Sequence, residues 1–347
     1  METSLTKLLG IEHPIILAPM AGGPSSVALT AEVSNHGGLG SYGGNYLTPT
    51  NLQKALQDIK AQTAKPFAVN IFIPNTPKEP TAEHRQEMLD FTNDVRKKLD
   101  IPILRELPVT TNHFSEQIEV ILKEQPAVFS FVFGLLDRDI LKNMKERGIL
   151  VIGTGSTLDE ALALQEEGVD AIVLQGFEGG GHRGVFATNE DYEVPLKILL
   201  ESVRGKLRIP YIASGAIMDG KDIKEALSLG ASAVQMGTAF LLCQEAGTSK
   251  CYREALLSKN AANTDITIGF SGRRARGIVN HYMREFKAKS KVPLPFPIQN
   301  TLTQDIRKKA TELGVADYCS LWSGTAADRI RELSVKDLMH ALVEEMK

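Results

Sequence analysis

Cysteine is scarce in this chain. Cys243, Cys251 and Cys319 are its three cysteines, and no two of them form a CxxC pair or a metal-binding spacing. An odd, sparse count argues against a disulfide framework and suits a reducing cytoplasm. No apolar run is long enough to cross a bilayer, since Ile15-Ile16-Leu17-Ala18 is short and stops at Pro19. The opening Met1-Glu2-Thr3-Ser4 has no basic n-region, so no signal peptide is expected. There is no surplus of either charge: the formal net charge is −3, which gives no electrostatic reason to expect nucleic acid or an anionic membrane as partner. No HxH, HExxH or paired-carboxylate arrangement appears, so no catalytic metal is expected. Internal repeats and low-complexity segments are also missing.

What is present is an ordinary globular composition, 43% hydrophobic and 23% charged over 347 residues. That is enough chain for two domains, or for one large α/β barrel with an extension. Short apolar runs fall at residues 15–18, 39–42, 67–72, 128–133, 150–153, 171–175, 211–214 and 233–236. Helical spacing fills residues 25–35, 52–61, 116–123, 137–146, 158–167 and 221–229. Glycines at 37–38, 148, 168 and 230 stand at helix C-termini. Thr157-Leu158-Asp159-Glu160 reads as a capping box. Strands alternating with helices imply βαβ units and a parallel sheet. Eight of them point to an α/β fold of (β/α)8 type, with function on the loops after the strand C-termini.

Two stretches interrupt the rhythm. Residues 74–107 are Pro-rich and then charged. Residues from about 244 to 316 include Arg273-Arg274-Ala275-Arg276 and Pro293-Leu294-Pro295-Phe296-Pro297. Both are read as an inserted, mostly helical cap over the barrel mouth. The expected division is therefore a barrel over 1–243 and a cap over 244–316. The chain from about 317 to 347, with an amphipathic helix at 333–346, is expected to return to the barrel.

Among the motifs, Gly38-Leu39-Gly40-Ser41-Tyr42-Gly43 fits GxGxxG. It follows a helical segment rather than a strand, so a dinucleotide role is not supported. Gly215 to Asp222 nearly matches a P-loop, but Asp222 stands where the Mg²⁺-binding hydroxyl belongs. The stretch Gln175-Gly176-Phe177-Glu178-Gly179-Gly180-Gly181-His182-Arg183-Gly184 carries more. It ends a buried strand, bares backbone where a ring or phosphate can approach, and sets one imidazole beside it. Ser214-Gly215-Ala216-Ile217 and Gln235-Met236-Gly237-Thr238 close the seventh and eighth barrel strands, where such barrels bind phosphate. The alternative is a pair of tight turns that bind nothing. Asn70 and Gln175 end apolar strands. Their amides suit a flat ring bearing C=O and N–H groups, such as a flavin, or equally an internal hydrogen bond. Arg183 either neutralises an anion or caps a surface. His281 is the other histidine placed where it can face the pocket; the remaining five read as structural or solvated.

These segments resemble the nitronate monooxygenases, once called 2-nitropropane dioxygenases, in their class I bacterial branch. The likeness spans nearly the whole chain. It is carried by Ala18-Pro19-Met20-Ala21-Gly22-Gly23, Ser34-Asn35-His36-Gly37-Gly38-Leu39-Gly40, Phe67-Ala68-Val69-Asn70-Ile71-Phe72, the glycine–histidine stretch, Gln235-Met236-Gly237-Thr238-Ala239-Phe240, Pro297-Ile298-Gln299-Asn300 and Leu321-Trp322-Ser323-Gly324. The resemblance implies a TIM barrel with FMN as cofactor. FMN contacts would fall on Asn70, Gln175, Gly180, Gly181, Ser214, Gly215, Ala216, Gln235, Met236, Gly237 and Thr238. Ala18, Pro19, Met20 and Ala21 would pass the isoalloxazine, and His182 would be catalytic. Ala216 stands where the family usually has Gly. The implied activity is oxidation of alkyl nitronates such as propionate 3-nitronate by O2 to a carbonyl compound and nitrite, by a cytoplasmic monomer or homodimer. Two alternatives stay open: an NAD(P)H-dependent FMN reductase of quinones or enoyl-acyl carriers, and a barrel that binds a phosphate ligand without catalysis.

Overall fold

The computed structural model describes residues 2–186 and 192–347. Eight parallel strands form one sheet: β1 Ile15–Leu17, β2 Gly40–Gly43, β3 Phe67–Phe72, β4 Val128–Val132, β5 Leu150–Gly155, β6 Ala171–Gln175, β8 Tyr211–Ser214 and β9 Ala233–Met236. They follow chain order round the sheet, and a bridge between Ile16 and Leu39 joins the first strand to the second and closes the barrel. All eight overlap the apolar runs named above, with β2 and β5 running on to Gly43 and Gly155.

Strand alternation sorts the residues into two cores. Ile15, Leu17, Phe67, Val69, Ile71, Phe129, Phe131, Ile172, Leu174, Val234 and Met236 face the surrounding helices. Ile16, Leu39, Ala68, Val128, Ile152, Ala171, Val173, Ile212 and Ala233 fill the barrel interior. Leu5, Leu9 and Ile11 join that interior cluster, so the N-terminal helix Ser4–Leu9 plugs the barrel's lower end. Two residues further along six of the strands, β3 to β6, β8 and β9, the same inward face turns polar: Asn70, Ser130, Thr154, Gln175, Ser214 and Gln235. The register Gln175–Ser214–Gln235 across three neighbouring strands sets these side chains at one level. The barrel is thus apolar below and polar at its C-terminal mouth, where a ligand with hydrogen-bonding groups would sit.

The stretch expected to cap the barrel contains the helices Lys250–Leu257, His281–Ala288, Ile298–Leu302 and Gln304–Leu313. Helix Ala82–Lys98, from the long segment after β3, packs with them in a separate core that includes Met88, Phe91, Val95, Tyr282, Phe286 and Ile306. Arg96 ties this helix down. It is wholly buried, forms a bidentate pair with Asp305 at 2.8 and 2.9 Å, and donates to the Leu302 carbonyl.

The cap also holds an antiparallel sheet that the sequence reading did not contain. Its strands are β10 Thr264–Thr267, β11 Ala275–Ile278 and the two-residue β7 Gly181–His182. The run Arg273-Arg274-Ala275-Arg276 therefore enters and forms a buried strand within a segment expected to be mostly helical. Arg273 stacks on Phe133 at 3.8 Å and Arg276 on Phe177 at 4.6 Å. Helix Val335–Glu345 packs on the barrel's outer core through Val335, Leu338, Met339 and Leu342. Among the described residues no helix is long and apolar enough to cross a membrane.

Candidate active site

The glycine–histidine loop leaves β6 and is fixed from three sides. Gln175 holds it from within: its amide donates to the His182 carbonyl at 3.0 Å, and its Oε1 accepts from Gly184 N and from Arg183 Nη1. Glu160 holds the far end, accepting from Phe186 N at 2.6 Å and Ser156 N at 2.7 Å. The capping box expected at Thr157 is therefore half formed. Thr157 Oγ1 caps Glu160 N, but the Glu160 carboxylate serves the loop instead of returning to Thr157 N. Third, β7 pairs with β11, placing His182 opposite Ala275, and Arg183 N donates to the Arg274 carbonyl. His182 thus sits where the barrel mouth meets the cap sheet, held by both.

The imidazole stands in an aromatic cage. Ring centroids of Trp322, Phe133, Phe72 and Phe296 lie 5.7, 5.9, 6.2 and 6.2 Å from it. Its Nε2 lies 2.8 Å from Ser271 Oγ. Ser271 Oγ accepts from Arg273 N and donates to the Arg273 carbonyl. With that hydroxyl proton spent, the network assigns the imidazole proton to Nε2 and leaves Nδ1 as a lone pair. Burial, helped by the charges of Arg273 and Arg307, pushes the His182 pKa down to about 3, so the ring is neutral at physiological pH. Arg273 itself is buried and donates to the Val185 carbonyl, while its Nη1 has no partner among the described residues. Phe133, which carries the stacked Arg273, has a backbone φ of 81°. A bulky residue rarely adopts that conformation, and such strain concentrates at functional sites.

The other residues read from the sequence converge around this point. Gly237 lies against Ala18 and Met20: a Cβ on it would stand 3.2 Å from Ala18 Cβ and 3.5 Å from Met20 Sδ. A Cβ on Gly215 would lie 3.5 Å from Gly179 N. Gly180 abuts Ser323 and Gly324, and Gly324 N donates to Thr238 Oγ1 at 3.1 Å. The loops after β6, β8 and β9 and the 321–324 segment therefore meet at one place. Ala18, Pro19, Met20, Ala21, Gln175, Gly180, Gly181, His182, Ser214, Gly215, Ala216, Gln235, Gly237 and Thr238 all keep partial accessibility there, although the strands below them are buried.

Two residues of the expected set stand apart. Met236 points outward into the helix-facing core, so only its backbone reaches the mouth. Asn70 is buried and donates to Ser130 Oγ at 2.9 Å. With Gln175 bonding inside its own loop, both carboxamides have the internal partners that the sequence left as one of two options. Arg183 is buried, donating to Gln175 and Gly176, and so caps no surface. His281 lies outside the pocket, 46% exposed and paired with Glu285 at 3.4 Å.

The backbone suits an anionic group beside β8 and β9. N–H groups of Gly215, Ala216 and Gly237 donate to no described residue, and such N–H groups make anion cradles. Gly215 and Ala216 have φ of 138° and 52°. The nearby helix Gly220–Ser228 is not available in the same way. Asp219 caps its Lys221 and Asp222 N–H groups, and Asp222 accepts from Met218 N. A phosphate at this mouth would be held by the two turns and not by that helix.

The description "Nitronate monooxygenase" belongs to a family model that matches residues 2–345. The chain belongs to the nitronate monooxygenase family. A probable nitronate monooxygenase of Bacillus subtilis (strain 168) is 38% identical over 344 residues, covering 98% of this chain and 97% of that protein. A nitronate monooxygenase of Pseudomonas aeruginosa is 37% identical over 352 residues, covering 100% of both. The solved structure of nitroalkane oxidase from Streptomyces ansochromogenes superposes with a TM-score of 0.90 at 32% identity, covering 99% of this chain and 97% of that one. FabK from Thermotoga maritima superposes at 0.77 with 28% identity, covering 100% and 96%. As a nitronate monooxygenase family member, the protein is an oxidoreductase enzyme with a TIM-barrel fold.

Residues that the sequence reading had not singled out complete this mouth. They are Ser271 and Arg273 behind His182, and Phe72, Phe133, Phe296 and Trp322 around it. Trp322 lies in one of the segments that carried the family likeness, but nothing in its local pattern indicated a site.

Proposed function

We propose that the protein oxidises alkyl nitronates with O2 to a carbonyl compound and nitrite, using FMN. The observation that carries this reading is the half-buried imidazole of His182, fixed by Ser271, where burial and the charges of Arg273 and Arg307 favour the neutral ring. A base depressed to about pH 3 is poorly matched to removing a carbon-bound proton from a neutral nitroalkane. An anion that arrives already deprotonated asks less of it. The nitronate oxygens would lie in the positive field, and a bound anion would raise the basicity of His182, which then holds a proton against them through Nδ1. The aromatic rings around the imidazole limit its contact with water, so this polar contact acts at a lower effective dielectric than in bulk water.

For the flavin, the fit is in the chain's own residues. The unspent N–H groups at Gly215, Ala216 and Gly237 suit the phosphate. The small residues Ala18, Gly180, Gly181 and Gly237 leave room for a flat ring beside the β1 end. When bound, FMN supplies the electron-accepting chemistry that side chains lack.

The test compares the wild-type enzyme with His182→Asn, both loaded with FMN, for nitrite release from propionate 3-nitronate in air. The variant should lose about 100-fold or more of its turnover. Full turnover with flavin retained would remove His182 from the mechanism.

A further inference from the structure

The three cysteines make no framework in the sequence, but the fold brings two of them together. Cys251 lies in the helix Lys250–Leu257, and Cys319 follows the helical turn Ala316–Tyr318. Their sulfurs are 3.8 Å apart, although 68 positions separate them in the chain. Both are free thiols, 3% and 4% exposed, in the core that also holds Tyr252, Leu256, Leu321 and Ala327. Their polar contacts are weak. Ser249 Oγ lies 3.5 Å from the Cys251 sulfur and Thr311 Oγ1 3.5 Å from that of Cys319, whose thiol donates to the Val315 carbonyl at 3.4 Å. Burial pushes the Cys319 thiol up to about 12, so this setting disfavours a thiolate. A disulfide carries no charge and needs no hydrogen bond, so the same setting accepts it. Cys243, the third thiol, packs in the barrel's outer core.

The pair stands at a junction. Cys251 precedes Tyr252, whose hydroxyl donates to the Trp322 carbonyl. Cys319 leads into residues 321–323, which run along β11. Ile278 N donates to the Leu321 carbonyl, Trp322 bridges to Gly277, and Ser323 N donates to the Arg276 carbonyl. On its other side β11 pairs with β7, which carries His182, and the His182 ring lies 5.7 Å from that of Trp322. A change in the distance between the two sulfurs therefore acts on the segment that brings Trp322 to the imidazole.

We propose that Cys251 and Cys319 are a peroxide-sensitive modification site: oxidation joins them as a disulfide, displaces Trp322 and slows the enzyme, and a small thiol reverses the change. The inference goes beyond the nitronate reading and does not depend on it. In the reaction the two thiols give up two protons and two electrons. The S–S bond forms, the O–O bond of hydrogen peroxide breaks, and two waters leave. The sulfurs must close by about 1.8 Å to reach a bond of about 2.0 Å. A close-packed interior passes such a movement to its neighbours, here the helix on one side and residues 319–323 on the other.

The test treats the FMN-loaded enzyme with hydrogen peroxide, removes the excess with catalase, and reads intact mass, peptide map, tryptophan emission and nitrite release from propionate 3-nitronate. Trp322 is the chain's only tryptophan, so the emission reports this segment alone. The oxidised protein should be lighter by two hydrogens, with the Cys251 and Cys319 peptides joined and Cys243 still open to alkylation in denaturant. Emission should change, turnover should fall by about 10- to 100-fold, as for a misplaced group at a reacting centre, and dithiothreitol should restore both. Cys251→Ala should keep its basal turnover and lose the response that dithiothreitol reverses. Should that variant fail to fold, Cys319→Ser makes the same comparison. Thiols that stay unjoined would overturn the proposal, as would a disulfide that leaves emission and turnover unchanged. A loss that dithiothreitol does not reverse, and that Cys251→Ala shares, would belong to oxidation elsewhere and would also count against it. If the reduced enzyme releases no nitrite, the nitronate reading falls, and the mass and emission changes still decide this site.

Discussion

Replacing His182 with Gln should change how stability depends on pH, and the size of the change follows from the burial of the ring. In the fold the imidazole pKa is pushed down to about 3 from an ordinary value of 6.5. Below pH 6.5 the unfolded chain takes up a proton at this residue and the folded chain does not. Folding stability from this group is therefore intact above about pH 6.5 and is lost as pH falls toward 3. The slope is at most about 1.4 kcal/mol per pH unit. At pH 4.5 the penalty would be about 2.7 kcal/mol, and about 2 kcal/mol after allowing for solvent reaching the ring through the cleft. Gln cannot titrate. Urea unfolding with saturating FMN at pH 7.5 should show the variant less stable by about 1 kcal/mol, the value of the lost Ser271 bond. At pH 4.5 the order should reverse, with the variant more stable by about 1 kcal/mol. Parallel loss of stability in both proteins would mean that the ring titrates near its ordinary value, and the argument for a buried neutral imidazole would fail.

Three further outcomes follow from the same geometry. Ser271→Ala removes the acceptor that fixes the His182 proton on Nε2; kcat should fall about 10-fold with KM little changed, and the acid limb of the pH–rate profile should move. Gly180→Ala places a Cβ 2.5 Å from Gly324 N and from Ser323 C. Backbone must shift to admit it, so thermal unfolding should show a loss of about 1–3 kcal/mol, with reduced flavin retention through gel filtration. Asp305→Asn leaves the wholly buried Arg96 without its counter-charge. The cost should be about 2 kcal/mol in urea unfolding, below the usual range for a fully buried pair because Asp305 is half-exposed.

The barrel was legible in the sequence because its strands are buried on both faces. That gives short apolar runs at Ile15–Leu17, Phe67–Phe72 and Ala171–Gln175 with no competing signal. The glycine–histidine loop was legible because five glycines have no reason to follow a buried strand so closely unless backbone must be approached closely. The cap sheet was hidden. β7 is two residues long and glycine-rich, and β11 is announced by three arginines near its start, which in most chains mark a solvated face. Here their charge is absorbed by Phe133 and Phe177 and by carbonyls that are distant in sequence. The aromatic cage was hidden for a related reason: Phe72, Phe133, Phe296 and Trp322 come from four separate segments, so only the fold brings them together. His281 was misjudged because its position in the cap did not reveal Glu285 one helical turn away.

The most direct test of the central claim is oxygen uptake by the purified, FMN-loaded enzyme with propionate 3-nitronate and no nicotinamide, with nitrite assayed in the same vessel. Oxygen consumption accompanied by nitrite release, unaffected by added NADH, is the predicted result. Oxygen uptake that requires NADH, with no nitrite formed from the nitronate, would contradict it and point to an NAD(P)H-dependent reductase built on the same barrel.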